Sequence, residues 1–284
     1  MKKLFLTLIS VTAIATLLSA CGQKNNETAP AQSSSAAAST ESKSTTVSIK
    51  VAASPVPHAE ILSVIKPLLE KQGVDLEIVR MTDYVRPNLA LAEKDVDANF
   101  TQHKPYLDDF VQKHNLKLTS IANIHVEPMG IYSSKVKSLN EVTDGASVTI
   151  PNDATNGGRA LLLLEKAGLL KLKPEAGITA TVNDIVENPK HLKITAMEAP
   201  QLPRTLNDVT LAVINTNFAL EAKLVPTKDA LFIEQKDSPY ANILVVRSGD
   251  ENRPEIEKLK AAMTSPEVKK FIEEKYQGAI IPAF

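Results

Sequence analysis

Cysteine is almost absent from this 284-residue chain, which has one, Cys21. With that residue so near the start, the rest of the chain can form no disulfide, so its stability has to come from burial. An excess of charge of either sign is missing too. The formal net charge is −1, which excludes the strong basic excess of a nucleic-acid-binding protein, and no nucleic-acid partner is expected. Beyond the first twenty residues no apolar run approaches the ~20 residues of a membrane-spanning helix. Also lacking are a glycine-rich nucleotide loop, a nucleophile elbow and any metal-binding Cys/His spacing. The five histidines (His58, His103, His114, His125, His191) are scattered, with no i, i+4 pair among them. A zinc site assembled in three dimensions from separate histidines is the one metal reading left open. No cofactor, no metal and no catalytic residues are expected, so the chain reads as a non-enzyme.

What is present begins at the N-terminus. Lys2 and Lys3 precede an apolar stretch from Leu4 to Leu18, and Leu18-Ser19-Ala20 leads into Cys21. That is the pattern of a secretory signal. A small residue before a lone cysteine resembles a bacterial lipoprotein processing site, where the cysteine becomes the lipidated first residue. The alternative is an ordinary signal peptide with an incidental cysteine. The expected organisation is a signal peptide over 1–20, then a lipidated Cys21 and a flexible linker over 21–46. From Gly22 to Thr46 the chain is Ser, Ala, Thr, Gln and Asn with scattered charge and no large apolar residue. Such a segment cannot bury enough surface to offset its ordering entropy. The protein is expected outside the cytoplasm, anchored to the cell membrane through lipid on Cys21.

From Val47 onward the pattern is α/β. Val47–Ala53 reads as a strand, and Ile61, Leu62, Ile65, Leu68 and Leu69 recur at helical spacing up to Gly73. Pro67 conflicts with that run and predicts a kink. Val74–Met81 is a second strand, Pro87 opens a helix ending before Asp97, and a short strand lies near Val96–Asn99. Tyr106, Leu107, Phe110 and Val111 mark another helix, and Leu118–Ile124 another strand. The same grammar restarts with strands at Gly130–Ser133 and Ser147–Ile150 and a helix over Ala160–Lys166. Apolar strands follow at Val209–Ile214 and Asn242–Arg247, and Ser265-Pro266-Glu267 opens the last helix. Alternation of this length indicates mostly parallel sheets covered by helices. With 43% hydrophobic residues the chain can bury one large or two medium cores. Two lobes are expected, one inserted into the other: 47–122 plus 241–284, and 123–240.

Polar residues just beyond strand ends are where ligands bind in such folds. The fullest case is Pro151-Asn152-Asp153-Ala154-Thr155-Asn156-Gly157-Gly158-Arg159. Helix N-terminal amides attract anions, the glycines let a ligand approach the backbone, and Arg159 offers a planar fork for a carboxylate. A capped helix with a solvated arginine fits the same residues. Asn215 and Asn217 follow an apolar strand and fit either a helix cap or a ligand contact. Tyr84 and the run from Phe100 to His103 fit either packing or the lining of a half-apolar pocket.

Several longer stretches carry a resemblance. They include Thr82-Asp83-Tyr84-Val85-Arg86-Pro87-Asn88, Asp97-Ala98-Asn99-Phe100-Thr101-Gln102-His103-Lys104-Pro105-Tyr106-Leu107, and the Pro151–Arg159 segment. Further ones are Glu187-Asn188-Pro189-Lys190, Glu198-Ala199-Pro200-Gln201-Leu202-Pro203-Arg204, Ala212-Val213-Ile214-Asn215-Thr216 and Ser238-Pro239-Tyr240-Ala241-Asn242. In this order they resemble the methionine-binding lipoproteins of bacterial ABC importers, the MetQ/NlpA family. The resemblance covers about Val47 to the C-terminus. It implies a two-lobed periplasmic-binding-protein fold, type II-like, that closes on L-methionine and presents it to an ABC permease with its ATPase. It also implies that Arg159 holds the ligand carboxylate and that Asn156, Asn215 and Asn242 meet its polar main-chain groups. Tyr84 and His103 would line the thioether pocket. The family carries an aromatic residue two positions before that histidine, where this chain has Thr101 preceded by Phe100. Either Phe100 turns inward, or the pocket is wider and admits other ligands such as a methionine-containing dipeptide. A surface adhesin or an enzyme on the same fold are the remaining classes.

Overall fold

The β-branched run Val47–Ala53 forms β1, buried fully in its last three residues. Helix α1 (His58–Glu70) then turns Ile61, Leu62, Ile65 and Leu69 onto the sheet, all without exposure. It runs through Pro67 to Glu70. Gly73, at φ +75°, supplies the left-handed turn into β2 (Val74–Arg80). Helix α2 (Arg86–Ala92), β3 (Ala98–His103), α3 (Lys104–His114) and β4 (Leu118–Val126) follow. The computed structural model describes residues 46–235 and 238–284. The expected signal peptide, Cys21 and all but the last residue of the linker lie outside them. Among the described residues no helix is long and apolar enough to cross a membrane.

After Val126 the chain enters a second sheet through β5 (Gly130–Tyr132), β6 (Ser147–Pro151) and α4 (Ala154–Lys166). A small excursion carries β7 (Lys171–Leu172) and β8 (Ile185–Glu187), which pair with each other. Then come β9 (Lys193–Met197), β10 (Leu211–Ile214), α5 (Thr216–Glu221), α6 (Pro226–Asp229) and β11 (Phe232–Ile233). The chain returns to the first sheet in β12 (Ala241–Arg247), followed by α7 (Pro254–Met263), α8 (Pro266–Tyr276) and β13 (Ile281–Pro282). Strand β4 stays in the first sheet throughout, so the chain crosses after Val126.

The first sheet has the order β13-β4-β12-β3-β1-β2 and the second β11-β5-β10-β6-β9. In the first, β2, β1 and β3 are parallel, while β12 runs antiparallel between β3 and β4. In the second, β10, β6 and β9 are parallel and β5 opposes β10. Helices cover both faces of the first sheet. One face buries Val51, Leu62, Phe100, Leu244, Ile256 and Ile272, and the other Ala52, Leu91, Leu107, Ile243 and Val245. The second sheet divides likewise, with Val213 and Leu211 on one side and Ala212 and Ile214 on the other. That period of two is what a strand covered on both faces requires. Each fully buried Val, Leu, Ile or Phe among them contributes about 1.5–3 kcal/mol.

Register shifts interrupt the strands that border the cleft. On β12, Ile243 faces Gln102 and Val245 faces Asn99, so β3 carries one extra residue over Phe100–Thr101. Strand β4 carries another beside β12 between Asn123 and His125. Bulges of this kind re-aim side chains near sites. A buried amide network fixes β3 to α2: Asn88 Nδ2 donates to Gln102 Oε1 at 2.9 Å and Asn99 Nδ2 to Asn88 Oδ1 at 2.9 Å.

Candidate functional site

The helix that follows β6 starts six residues earlier than expected, at Ala154 rather than Ala160. Asp153 is its N-cap and accepts from the Asn156 amide at 2.9 Å. Asn156, Gly157, Gly158 and Arg159 therefore lie inside the first turns of α4, not in a loop before it. The glycines are there for the protein's own backbone. A Cβ on Gly158 would come 2.3 Å from the Ile178 carbonyl oxygen, and one on Gly157 2.9 Å from the Pro151 carbonyl oxygen. They let two chain segments close on the helix, which corrects the expectation that they admit a ligand.

A cavity of about 330 Å³ opens where this helix faces β3. The first lobe supplies Tyr84, Thr101, His103, Tyr106 and Asn242 to its wall; the second supplies Asn156, Arg159, Asn215 and Asn217, with Glu127 at the crossing.

Arg159 is 3% exposed and largely engaged. Its Nε donates to both carboxylate oxygens of Glu234, at 3.1 and 3.2 Å, and its Nη2 pairs with the same carboxylate. Nη2 also donates to the Glu127 carbonyl at 2.7 Å. The guanidinium lies 4.3 Å from the Tyr240 ring centroid, in cation–π contact. The Nε/Nη2 edge expected to grip a carboxylate is thus held by Glu234, and Nη1 is the end left for the cavity.

His103 ends β3 and caps α3. Its Nδ1 accepts from the Tyr106 amide at 3.2 Å, so its proton sits on Nε2, which donates to Asn156 Oδ1 at 3.0 Å. Burial, and next Arg159, push this imidazole down to about 3. Asn215 Nδ2 donates to the same Asn156 oxygen at 2.8 Å, while Asn156 Nδ2 reaches the Asp153 carboxylate at 3.0 Å. The Asn156 amide is therefore a bridge that locks His103 and Asn215 together. Tyr84 donates to Asn217 Oδ1 at 2.6 Å, and Tyr106 donates to the Tyr84 carbonyl at 3.2 Å. Three buried polar atoms on the wall have no hydrogen-bond partner: Thr101 Oγ1, Asn215 Oδ1 and Asn217 Nδ2.

Phe100 and Thr101 part company at the bulge. Thr101 joins the wall, whereas Phe100, with no exposure, packs edge-on against His58 at 4.6 Å and His125 at 5.2 Å. Both residues belong to β3 itself, as does His103; the expected strand near Val96–Asn99 starts and ends later. Behind Phe100, His125 Nε2 lies 2.7 Å and His58 Nε2 3.4 Å from Glu127 Oε1. Tetrahedral zinc ligands at 2.0–2.1 Å stand about 3.3 Å apart. The 2.7 Å contact is a hydrogen bond, which makes this cluster a polar network rather than a zinc cage.

A family model described as NlpA lipoprotein matches residues 49–284. The chain belongs to the NlpA lipoprotein family. One relative is the D-methionine-binding lipoprotein MetQ of Escherichia coli (strain K12). It is 48% identical over 214 residues, which span 75% of this chain and 79% of that one. Among solved structures, a nutrient-binding protein from Burkholderia cenocepacia bound to methionine is 47% identical with a TM-score of 0.81. The match covers 83% of this chain and all of that one (100%). A periplasmic substrate-binding protein of an ABC transporter from Coxiella burnetii is 43% identical, TM-score 0.80, over 83% and 100% of the two chains. The α/β fold of two helix-flanked sheets is the fold of these substrate-binding members.

Within the family frame, sequence reasoning passed over three wall or support residues. Glu127 sits just past β4, the position beyond a strand end that drew attention elsewhere. Tyr240 stands just before β12, so only the motif Ser238-Pro239-Tyr240-Ala241-Asn242 marked it. Glu234 follows the two-residue β11 and had none.

Proposed function

We propose that the protein is an extracytoplasmic, lipid-anchored receptor that captures methionine between its two lobes and delivers it to an ABC importer. The observation that carries this reading is that Arg159 and Glu127, one residue of each charge, line the same buried wall. A free amino acid brings one carboxylate and one ammonium, and each needs a partner because a buried unpaired charge costs several kcal/mol. Arg159 Nη1 meets the carboxylate, and Glu127 meets the ammonium. Asn215, held by Asn156, supplies a further amide contact, as do Asn217, held by Tyr84, and Asn242, held by His58. Tyr84, His103 and Tyr106 line the thioether end, since sulfur packs favourably against aromatic rings.

We take the moving bodies to be the two expected lobes, with the first boundary drawn after Val126 so that β4 stays whole, hinged near the β4 and β12 crossings. Closure shifts an open–closed equilibrium, and the permease reads the closed form. Lipid on Cys21 holds the receptor at the membrane, and no catalytic step is assigned to it. The likeness to a D-methionine-binding lipoprotein, a methionine-bound nutrient-binding protein and an ABC-transporter substrate-binding protein supports a methionine site and an ABC partner. A methionine-containing dipeptide is the second reading, favoured by the unpartnered Thr101 hydroxyl; the relatives named for methionine favour the single amino acid.

Mass spectrometry of the small molecule released when the purified protein is denatured tests the reading. Methionine is expected. A dipeptide would move the assignment to the second reading, and an unrelated metabolite would overturn both.

A further inference from the structure

We propose that Asn88, Asn99 and Gln102 are positioning residues: their side-chain amides form a closed knot that holds the extra residue in β3 and keeps Thr101 and His103 turned to the cavity before any ligand arrives. This rests on the amino-acid reading above and adds to it the residues that stand behind the first lobe's share of the wall.

Asn88 comes from α2, Asn99 and Gln102 from β3, and all three are buried. Asn88 Nδ2 donates to Gln102 Oε1 at 2.9 Å, and Gln102 Nε2 donates back to Asn88 Oδ1 at 2.6 Å, a reciprocal amide pair. Asn99 Nδ2 donates to the same Asn88 oxygen at 2.9 Å and to the Pro87 carbonyl at 3.2 Å. Gln102 Nε2 also donates to Asn99 Oδ1 at 2.8 Å. Each of the three amides both gives and accepts a hydrogen bond within the knot. Only a carboxamide combines a donor and an acceptor in one plane in this way, so asparagine and glutamine are the residues that close it.

In an unbroken strand, residues three apart face opposite sides of the sheet. Asn99 and Gln102 share a side because β3 carries its extra residue between them. On β12 they stand opposite Val245 and Ile243, which are two apart and pack on the α2 face. Phe100 turns to the other face with Leu244, and past the bulge His103 stands opposite Asn242 on the cavity wall. Without the extra residue, each side chain from Thr101 to His103 would change faces. The α2 face around the knot is apolar, with Ala52, Leu91, Ile243 and Val245. An unpaired amide there is unfavourable, and the bulged register is the one that pairs them all.

The knot acts on the site from behind. Asn88 and Asn99 do not border the cavity, and Gln102 does so with its amide already committed. Helix α2 is also the helix that Tyr84 leads into, so seating Asn88 seats the stretch that carries Tyr84 to Asn217 across the cleft. Three apolar side chains could fill the same space without selecting a register. With the amides in place, ligand binding needs no rearrangement of β3.

Titration of the full chain with L-methionine, denaturant unfolding and imidazole nitrogen NMR of the ligand-free protein test this on the wild type, Asn88→Ala, Asn99→Ala and Leu259→Ala. Leu259 is a fully buried residue of α7 away from the cavity wall and serves as the stability control. Asn88→Ala and Asn99→Ala should each weaken methionine roughly 10- to 100-fold. In their ligand-free spectra His103 should lose the wild-type pattern of a bare Nδ1 and a protonated Nε2, because the ring is no longer fixed between the Tyr106 amide and Asn156. Leu259→Ala should lose stability yet keep both the affinity and the His103 pattern. A folded Asn88→Ala protein with wild-type affinity and a wild-type His103 pattern would overturn the proposal, as would an equal loss of affinity in Leu259→Ala. Should Asn88→Ala not fold, Asn99→Ala decides by the same readouts. A wild type that binds no methionine would instead overturn the amino-acid reading, and the ligand-free His103 pattern would still test the knot.

Discussion

Arg159 shows how far a residue's role depends on a partner remote in sequence. Its position after a strand and two glycines marked it as an anion ligand, and the fold does place it on the cavity wall. Its pairing with Glu234, 75 positions away, could not be read, because nothing local to a two-residue strand identifies a buried carboxylate. Arg159→Ala would therefore do two things. It should abolish methionine binding, and by leaving Glu234 buried without its cation it should cost about 3–5 kcal/mol of stability. Adding Glu234→Gln should restore most of the stability and none of the binding; denaturant unfolding and calorimetry on both variants check this. Asn156 tells the same story in a milder form. As an amide after a strand it was legible as polar, but its three-way bridge among His103, Asn215 and Asp153 depends on elements brought together only by folding.

At the scale of elements, periodicity located most strands and helices within a few residues, and it failed where packing overrides propensity. A Gly-Gly pair costs a helix roughly 1 kcal/mol per residue relative to alanine, so the sequence argued for a helix starting after it. The fold tolerates the pair because the Ile178 and Pro151 carbonyls lie where side chains would be. Gly158→Ala should destabilise the protein by about 1–3 kcal/mol through that backbone clash. Its melting temperature should fall by about 2–4 °C for each kcal/mol. An unchanged melting temperature would show that the turn at Gly177–Thr179 yields. Strand β3 was placed early for a related reason: Thr101, Gln102 and His103 look polar, yet they are buried in a strand whose polar atoms are satisfied within the cleft or face it.

For the whole molecule, alternation of strands and helices and the seven ordered motifs made the two-sheet α/β body and its family legible in advance. The antiparallel β12, which closes the first sheet after the excursion into the second, is a topological fact that local pattern does not encode. In the proposed role, a tether would keep the receptor close to a permease and raise its local concentration. Cys21→Ala should therefore release the protein from the membrane fraction while leaving its affinity for methionine untouched, as fractionation followed by titration would show. The account stands on methionine capture by the Arg159–Glu127 cleft. Calorimetric titration of ligand-stripped protein with L- and D-methionine tests that most directly. Saturable binding of one methionine per chain, lost in Arg159→Ala/Glu234→Gln, is the predicted result. A folded wild-type protein that binds neither enantiomer, or a folded double variant that binds normally, would contradict it.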